Sequence, residues 1–186
     1  MRRVLSCCCL LLLLSGCSRE DRDLAAVMKL REQLLQAEKC LFQAEISADY
    51  GQQIHQFCVS CDADRDGNVH FSVTAPESIS GITGELSASG GRLKFDSAVL
   101  GFPLLGDGTL SPVSAPWVFL NSLRSGYLSA CGETGDGVRV TVFDSYAEDA
   151  LQLDIWLDEE FLPYYGEFFW RGQRVLSLKI DNFEIL

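Results

Sequence analysis

The side chain whose setting most clearly predicts chemistry is the thiol of Cys17, which follows the small residues Ser15 and Gly16. A cysteine sulfur is the nucleophile that takes up a diacylglyceryl group, and small residues before it give a peptidase access to the backbone. We therefore expect Cys17 to be lipidated after cleavage of the chain directly in front of it.

The residues before Cys17 have the composition of a signal peptide. Arg2 and Arg3 precede an apolar run that ends at Leu14, and the order leucine, small, small, cysteine resembles the bacterial lipobox. The run is shorter than the ~20 residues that a membrane-spanning helix needs. We predict a lipoprotein signal at residues 1–16, a lipidated N-terminus and tether at residues 17–23, and one domain at residues 24–186. The alternative is an ordinary secretory signal with an incidental cysteine.

Charge narrows the possible partners. The 186 residues carry a formal net charge of −11, which becomes −13 when Arg2 and Arg3 leave with the signal. Such a surface repels nucleic-acid phosphates and anionic lipid headgroups alike. We therefore expect no nucleic-acid partner, and we expect attachment to the outer face of a membrane to depend on two or more acyl chains at Cys17.

Cysteines elsewhere predict neither a metal site nor a cofactor. Four remain after signal removal and lipidation: Cys40, Cys58, Cys61 and Cys131. Cys58 and Cys61 have the spacing of a redox or metal pair, but residues three apart on a strand point to opposite faces. No second pair or histidine cluster completes a zinc site, so we interpret these cysteines as buried thiols.

The acidic segment 62–67 matches the first half of a calcium-binding loop. The second half fails, because the position that needs a bidentate acid is Val73 and the flanking residues predict strands. Asp66-Gly67 between alternating segments favours a hairpin turn, with calcium as the weaker alternative.

No catalytic constellation is found in the sequence. His55 and His70 lie in predicted strands without a paired acid and nucleophile, and no G-x-S-x-G segment is present. The adjacent acids 158–160 favour a charged turn over a glycosidase pair, whose two carboxyl groups must face each other across a sugar. We therefore expect that the chain is not an enzyme.

Apolar periodicity predicts the elements that would position any site. Helical spacing indicates an amphipathic helix from Arg22 to about Ala37, and then alternation with period two predicts a strand that ends near Tyr50-Gly51. If Tyr50 and Gly51 form a two-residue turn, the next strand buries the matching face and Cys40 lies directly opposite Cys61. A cross-strand disulfide between these two cysteines is then possible.

Further strands follow in a meander, interrupted by one short helix. Ser114-Ala115-Pro116 provides a hydroxyl cap and an early proline, and the apolar helix ends at Gly126. A helix that is apolar on nearly every side needs cover all round. The last third predicts strands at 138–143, 151–157, 164–170 and 174–183. The chain is thus expected to be α+β, with one antiparallel sheet and two helices.

The N-terminal helix and the short helix near Pro116 are followed by a closing pattern of short motifs: Trp156-Leu157-Asp158, Leu162-Pro163, Gly172 and Asn182-Phe183. This order of elements and motifs resembles the LolA and LolB superfamily of lipoprotein carriers and receptors. The resemblance implies a curved antiparallel half-barrel whose concave apolar face is covered by the helices.

By this resemblance the concave face holds acyl chains or a hydrophobic partner segment. The implied lining residues are Phe42, Ile46, Phe57 and Val59 on strands, with Trp117 and Leu120 on the covering helix. The implied function is an anchored envelope protein that binds lipid or lipoprotein acyl chains. The alternative is a scaffold without lipid cargo that holds an envelope or spore cell-wall enzyme, and a fixed anchor argues against shuttling between membranes.

Overall fold

Strands dominate the computed structural model, which describes residues 19–49, 51, 53–106, 109–147 and 149–186. The signal segment and Cys17 lie outside the described residues. The helices are α1 (Arg19–Gln36) and α2 (Ala115–Ser125), and short 3-10 turns span Glu77–Ile79 and Pro112–Ser114. The strands are β1 Lys39–Asp49, β2 Ile54–Asp64, β3 Val69–Ala75, β4 Thr83–Ser87, β5 Gly90–Phe95, β6 Ala98–Phe102, β7 Leu105–Gly106, β8 Thr109–Leu110, β9 Tyr127–Thr134, β10 Gly137–Phe143, β11 Gln152–Leu157, β12 Pro163–Trp170 and β13 Gln173–Ile185.

Eleven strands form one antiparallel sheet in the order β6-β5-β4-β3-β2-β1-β13-β12-β11-β10-β9. The sheet is open, so β6 and β9 are its edges, and β7 pairs with β8 separately. Strands that follow one another along the chain are neighbours in this sheet, except that β1 pairs with β13 at its centre and the chain passes through β7, β8 and α2 between the two edges. The α+β class, the meander and the two helices are therefore confirmed.

Helix α1 starts earlier than its apolar pattern predicts. It begins at Arg19, inside the segment assigned to the tether, and not at Arg22. Val27, Leu30 and Leu34 form its buried stripe, at the spacing of one helix face. Three other apolar side chains of this helix remain 40–53% exposed: Leu24, Met28 and Leu35. None of the helices in the described part of the chain is long and apolar enough to cross a membrane.

Helix α2 is buried on most of its circumference, as its composition predicts. It starts directly after the Pro112–Ser114 turn and ends before Gly126. The predicted hydroxyl cap is wrong in detail, because the Ser114 side chain makes no capping hydrogen bond. Its Oγ atom is buried and has no hydrogen-bond partner among the described residues.

The β1–β2 hairpin has a different register from the predicted one. Asp49 pairs with Ile54, so residues 50–53 form the connection in place of a two-residue turn, and Tyr50 and Gln52 lie outside the described residues. The shift is two residues, which leaves every side chain on its predicted face. The predicted opposition of cysteines is wrong: Cys40 lies opposite Ala63, and Cys61 lies opposite Phe42.

Cys40 and Cys61 are buried free thiols in this structure. They are diagonal neighbours across the hairpin, a relation with a typical spacing of about 7–8 Å, whereas a disulfide needs Cβ atoms about 3.5–4.5 Å apart. Burial raises the pKa of Cys40 to about 12, against a lowering effect of Arg124. Burial also raises the pKa of Cys61, so neither thiol forms the reactive thiolate readily.

We therefore expect four freely alkylated thiols. In denaturant without reductant, iodoacetamide should modify Cys40, Cys58, Cys61 and Cys131, and intact-mass spectrometry should show four added groups. In the folded protein Cys40 and Cys61 should react far more slowly than in denaturant. Two cysteines that react only after reduction would show that a disulfide forms in spite of the register.

Arg31 joins the two helices through the end of α2. Its Nη2 atom donates to the carbonyl oxygen of Gly126 at 2.5 Å, and its Nε atom donates to that of Arg124 at 3.3 Å. These carbonyls belong to the helix end, where backbone acceptors lack helical partners and the dipole favours a cation.

Replacing Arg31 with alanine is expected to lower the free energy of unfolding by about 1–2 kcal/mol, because charged hydrogen bonds to a part-buried helix end are lost. Urea unfolding of Arg31→Ala and of Lys29→Ala, an exposed position on the same helix, provides the comparison. Equal stability of the two variants would contradict a bridging role for Arg31.

Candidate functional site

The residues predicted to line an apolar groove lie within or against the core. Four of them are at most 2% exposed: Phe42, Ile46, Val59 and Leu120. The other two, Phe57 and Trp117, are partly buried and pack against the core. The structure therefore brings these residues together on the predicted face. It leaves the four buried ones inaccessible to a ligand.

Helix α2 fills this face with Phe119. The ring of Phe119 is fully buried and its centroid lies 6.4 Å from that of Phe42. Gly166 of β12 provides the space beneath it, because a Cβ atom at this position would lie only 3.3 Å from the Phe119 ring. Close packing of this kind leaves little room for an acyl chain unless α2 moves.

The apolar face remains open where β5 and β6 extend beyond the helices. Across the sheet, Phe71 lies opposite Gly84, Gly84 opposite Leu93, and Leu93 opposite Leu100, so these positions share the core-facing side. Phe95 is 52% exposed and Leu100 is 63% exposed. We name as the β5–β6 apolar surface the set Leu93, Phe95, Leu100 and Phe102.

Packing of Phe102 onto a glycine holds this surface together. Its ring lies directly over Gly91 on the neighbouring strand, where any Cβ atom would overlap it. Leu93 and Phe102 also contact the core. The surface is therefore a continuation of the core face, supported from below, with Phe95 and Leu100 projecting at its rim.

Strand β6 gives the same region an unpaired edge. It contains Ala98, Val99, Leu100, Gly101 and Phe102, none of which is charged, and only Phe102 is not exposed. In the described part of the chain β6 pairs with β5 alone. An exposed, uncharged edge strand presents a row of backbone donors and acceptors to another strand.

Strand β6 is not among the strands predicted from the sequence. The sequence does contain a turn that could have indicated this strand, because Asp96 and Ser97 form the two-residue link between Phe95 and Ala98. Asp96 has a φ of 51°, which aspartate tolerates better than most residues. A short apolar run after such a turn is typical of a hairpin partner.

The segment resembling half a calcium loop forms the β2–β3 hairpin turn. Partial burial of Asp64 is outweighed by hydrogen bonds, including a side-chain bond from Asn68 at 2.9 Å, which lower the pKa of this carboxyl. Arg124 of α2 donates to the carbonyl oxygen of Arg65 at 2.8 Å. Within the described ranges, no group of three His, Cys, Asp or Glu side chains could hold a metal ion.

The three acids 158–160 form a turn between β11 and β12. The Asp158 carboxylate accepts hydrogen bonds from the backbone N–H groups of Glu160 and Leu162, both at 2.9 Å. Asp158 therefore stabilises its own loop, and the predicted charged turn is confirmed.

No model of a known protein family matches the sequence, and no curated protein matches it. Solved structures do match. A LolA superfamily protein from Nitrosomonas europaea is 11% identical, with 88% of this chain and 93% of that chain covered and a TM-score of 0.45. A putative outer membrane lipoprotein-sorting protein domain from Vibrio parahaemolyticus is 9% identical, with 90% and 93% covered and a TM-score of 0.49.

A structure of the CwlD amidase from Clostridioides difficile in complex with the GerS lipoprotein also matches. The identity is 14%, 91% of this chain and 96% of the matched chain are covered, and the TM-score is 0.46.

Proposed function

We propose that the chain is a lipid-anchored binding protein of the extracytoplasmic envelope that holds a protein partner and is not an enzyme. The observation that supports this proposal is the uncharged edge strand β6 beside the exposed β5–β6 apolar surface. A partner strand could add to β6 through backbone hydrogen bonds while its apolar side chains cover Phe95 and Leu100.

A protein strand fits this region better than an acyl chain does. An acyl chain could cover Phe95 and Leu100, but it has no groups that pair with the backbone donors and acceptors of β6. A partner strand can both cover Phe95 and Leu100 with its side chains and pair with the backbone of β6. Acyl chains in the concave face would instead have to displace Phe119 from its contact with Phe42.

The partner class follows from the proposed anchor. A chain fixed to the membrane through Cys17 cannot carry cargo far, so the partner must act in the same envelope layer. An envelope or cell-wall enzyme, as the sequence resemblance implies, fits this requirement.

Site-specific photocrosslinking in the producing cells tests the proposal. A benzoylphenylalanine at Leu100 should form a discrete protein adduct, whereas the same residue at Ile54 should not, because Ile54 is similarly exposed (66% against 63%) but lies on β2 away from β6. Val99→Lys in the Leu100 crosslinker strain should abolish the adduct, since an edge lysine opposes strand addition. Equal adducts at both positions, adducts with lipid alone, or no adduct would overturn it.

A further inference from the structure

A broad groove lies on the opposite face of the sheet from the helices. It encloses about 980 Å³ and crosses strands β1 to β6 and the end of β13. Strand twist makes a sheet saddle-shaped, so a face that is convex along one diagonal is concave along the other. This groove is separate from the β5–β6 apolar surface, which faces the core side.

The floor of the groove is a row of short neutral polar side chains. Gln43 lies opposite Ser60, Ser60 opposite Ser72, and Ser72 opposite Thr83, on four neighbouring strands. Among the described residues none of these four side chains makes a hydrogen bond to another protein group. Their amide and hydroxyl groups therefore face the groove with unused donors and acceptors.

One end of the groove is cationic. Arg92 and Lys94 occupy alternate positions of β5, so they project to the same side, and both are exposed. Within the described ranges no carboxylate forms an ion pair with either of them. Glu85 lies directly opposite Arg92 on the neighbouring strand, yet its Oε1 atom is close to His70 Nδ1, at 3.7 Å, and not to the guanidinium of Arg92. Two unpaired cations are notable in a chain with a net charge of −11.

The other end is anionic. Glu184 of β13 lies opposite Leu41 and, among the described residues, makes no ion pair. Asp62 of β2 lies on the same side and pairs with Lys39 at 2.8 Å. Five strand spacings of ~4.8 Å separate β5 from β13, so the two ends are ~24 Å apart measured across the strands.

We propose that this groove binds an extended zwitterionic peptide of about seven residues. Its carboxylate would contact Arg92 and Lys94, its backbone amides would bond to the floor side chains, and its ammonium group would lie near Glu184. A heptapeptide at ~3.3 Å per residue matches the span. Glu85 lies beside Arg92 and repels a compact dianion such as phosphate about twice as strongly as it repels the single charge of a carboxylate, so phosphate fits less well.

The probe is the heptapeptide Gly-Ser-Gly-Ser-Gly-Ser-Gly with free termini, titrated to millimolar concentration into ¹⁵N-labelled residues 18–186. We expect saturable amide shifts at Ser60, Ser72 and Thr83. The double variant Arg92→Glu/Lys94→Glu and a peptide with acetyl and amide caps should each weaken binding at least tenfold. The spectrum of the variant without peptide shows directly whether it is folded.

Charge and phosphate controls complete the experiment. The double variant Lys29→Glu/Arg139→Glu makes the same change in net charge outside the groove and should bind within twofold of the parent. Inorganic phosphate alone should not reproduce the shifts. Equal weakening by the control variant, equal shifts with phosphate, or no shift at the three floor residues would overturn the proposal.

Discussion

Replacing Phe119 with alanine is expected to lower the free energy of unfolding by about 3–5 kcal/mol, the usual cost of removing a fully buried aromatic ring. The ring contacts Phe42 and lies over Gly166, so its loss leaves a cavity between α2 and the sheet that the glycine cannot fill. Because small domains are stabilised by only about 5–15 kcal/mol, this single change should unfold a measurable fraction of the protein.

The matched control for this prediction is Phe95→Ala, the same substitution at a ring that is 52% exposed. It should cost less than about 1 kcal/mol, since most of its surface is already in water. Urea denaturation followed by tryptophan fluorescence measures both variants. Similar midpoints for the two variants would show that α2 does not seal the concave face as described.

Replacing Cys17 with alanine is expected to release the protein from the membrane completely. The acidic chain has no basic cluster to hold it to anionic headgroups, and the described helices offer no membrane span. Two or more acyl chains bind stably, whereas their absence leaves no comparable attachment.

Fractionation of cells that produce the full chain measures this effect. Parent protein and Cys58→Ala, which removes a cysteine within the domain, should sediment with membranes, and Cys17→Ala should remain in the soluble extracytoplasmic fraction or the medium. Retention of Cys17→Ala with membranes, after a salt wash, would refute the anchor.

Side-chain alternation was sufficient to predict which face of each long strand is buried. In the β1–β2 hairpin the register was wrong by two residues, yet Phe42, Ile46 and Val59 all lie on the predicted face. Alternation has a period of two, so it fixes the face and not the register. The register depended on a four-residue connection that the pattern Tyr50-Gly51 did not reveal.

The bounds of helix α2 could be predicted because residues typical of helix ends mark them: Pro116 lies in its first turn, and Gly126 follows its last residue. Its consequence for the site was not predictable from the sequence. An apolar helix can cover an empty groove or fill the groove with its own side chains. Which of the two occurs here depends on how closely Phe119 approaches Gly166. That distance is set by the whole sheet.

The polar groove on the face opposite the helices could not be predicted from the sequence either. Ser60, Ser72 and Thr83 are separated by turns whose lengths decide whether they align, and each residue alone is typical of an exposed strand face. Only the register places them in one row with Lys94.

The most direct test of the central claim is native mass spectrometry of the mature chain, purified from membranes in detergent, then stripped of the detergent. If α2 fills the concave face, the spectrum should show the lipidated chain without additional lipid. If the partner binds at β6, the spectrum should also show a complex of the chain with one protein, and this complex should be absent for the Val99→Lys variant. A chain that retains noncovalent lipid in stoichiometric amount, in both parent and Val99→Lys, would contradict this account and favour a carrier of acyl chains.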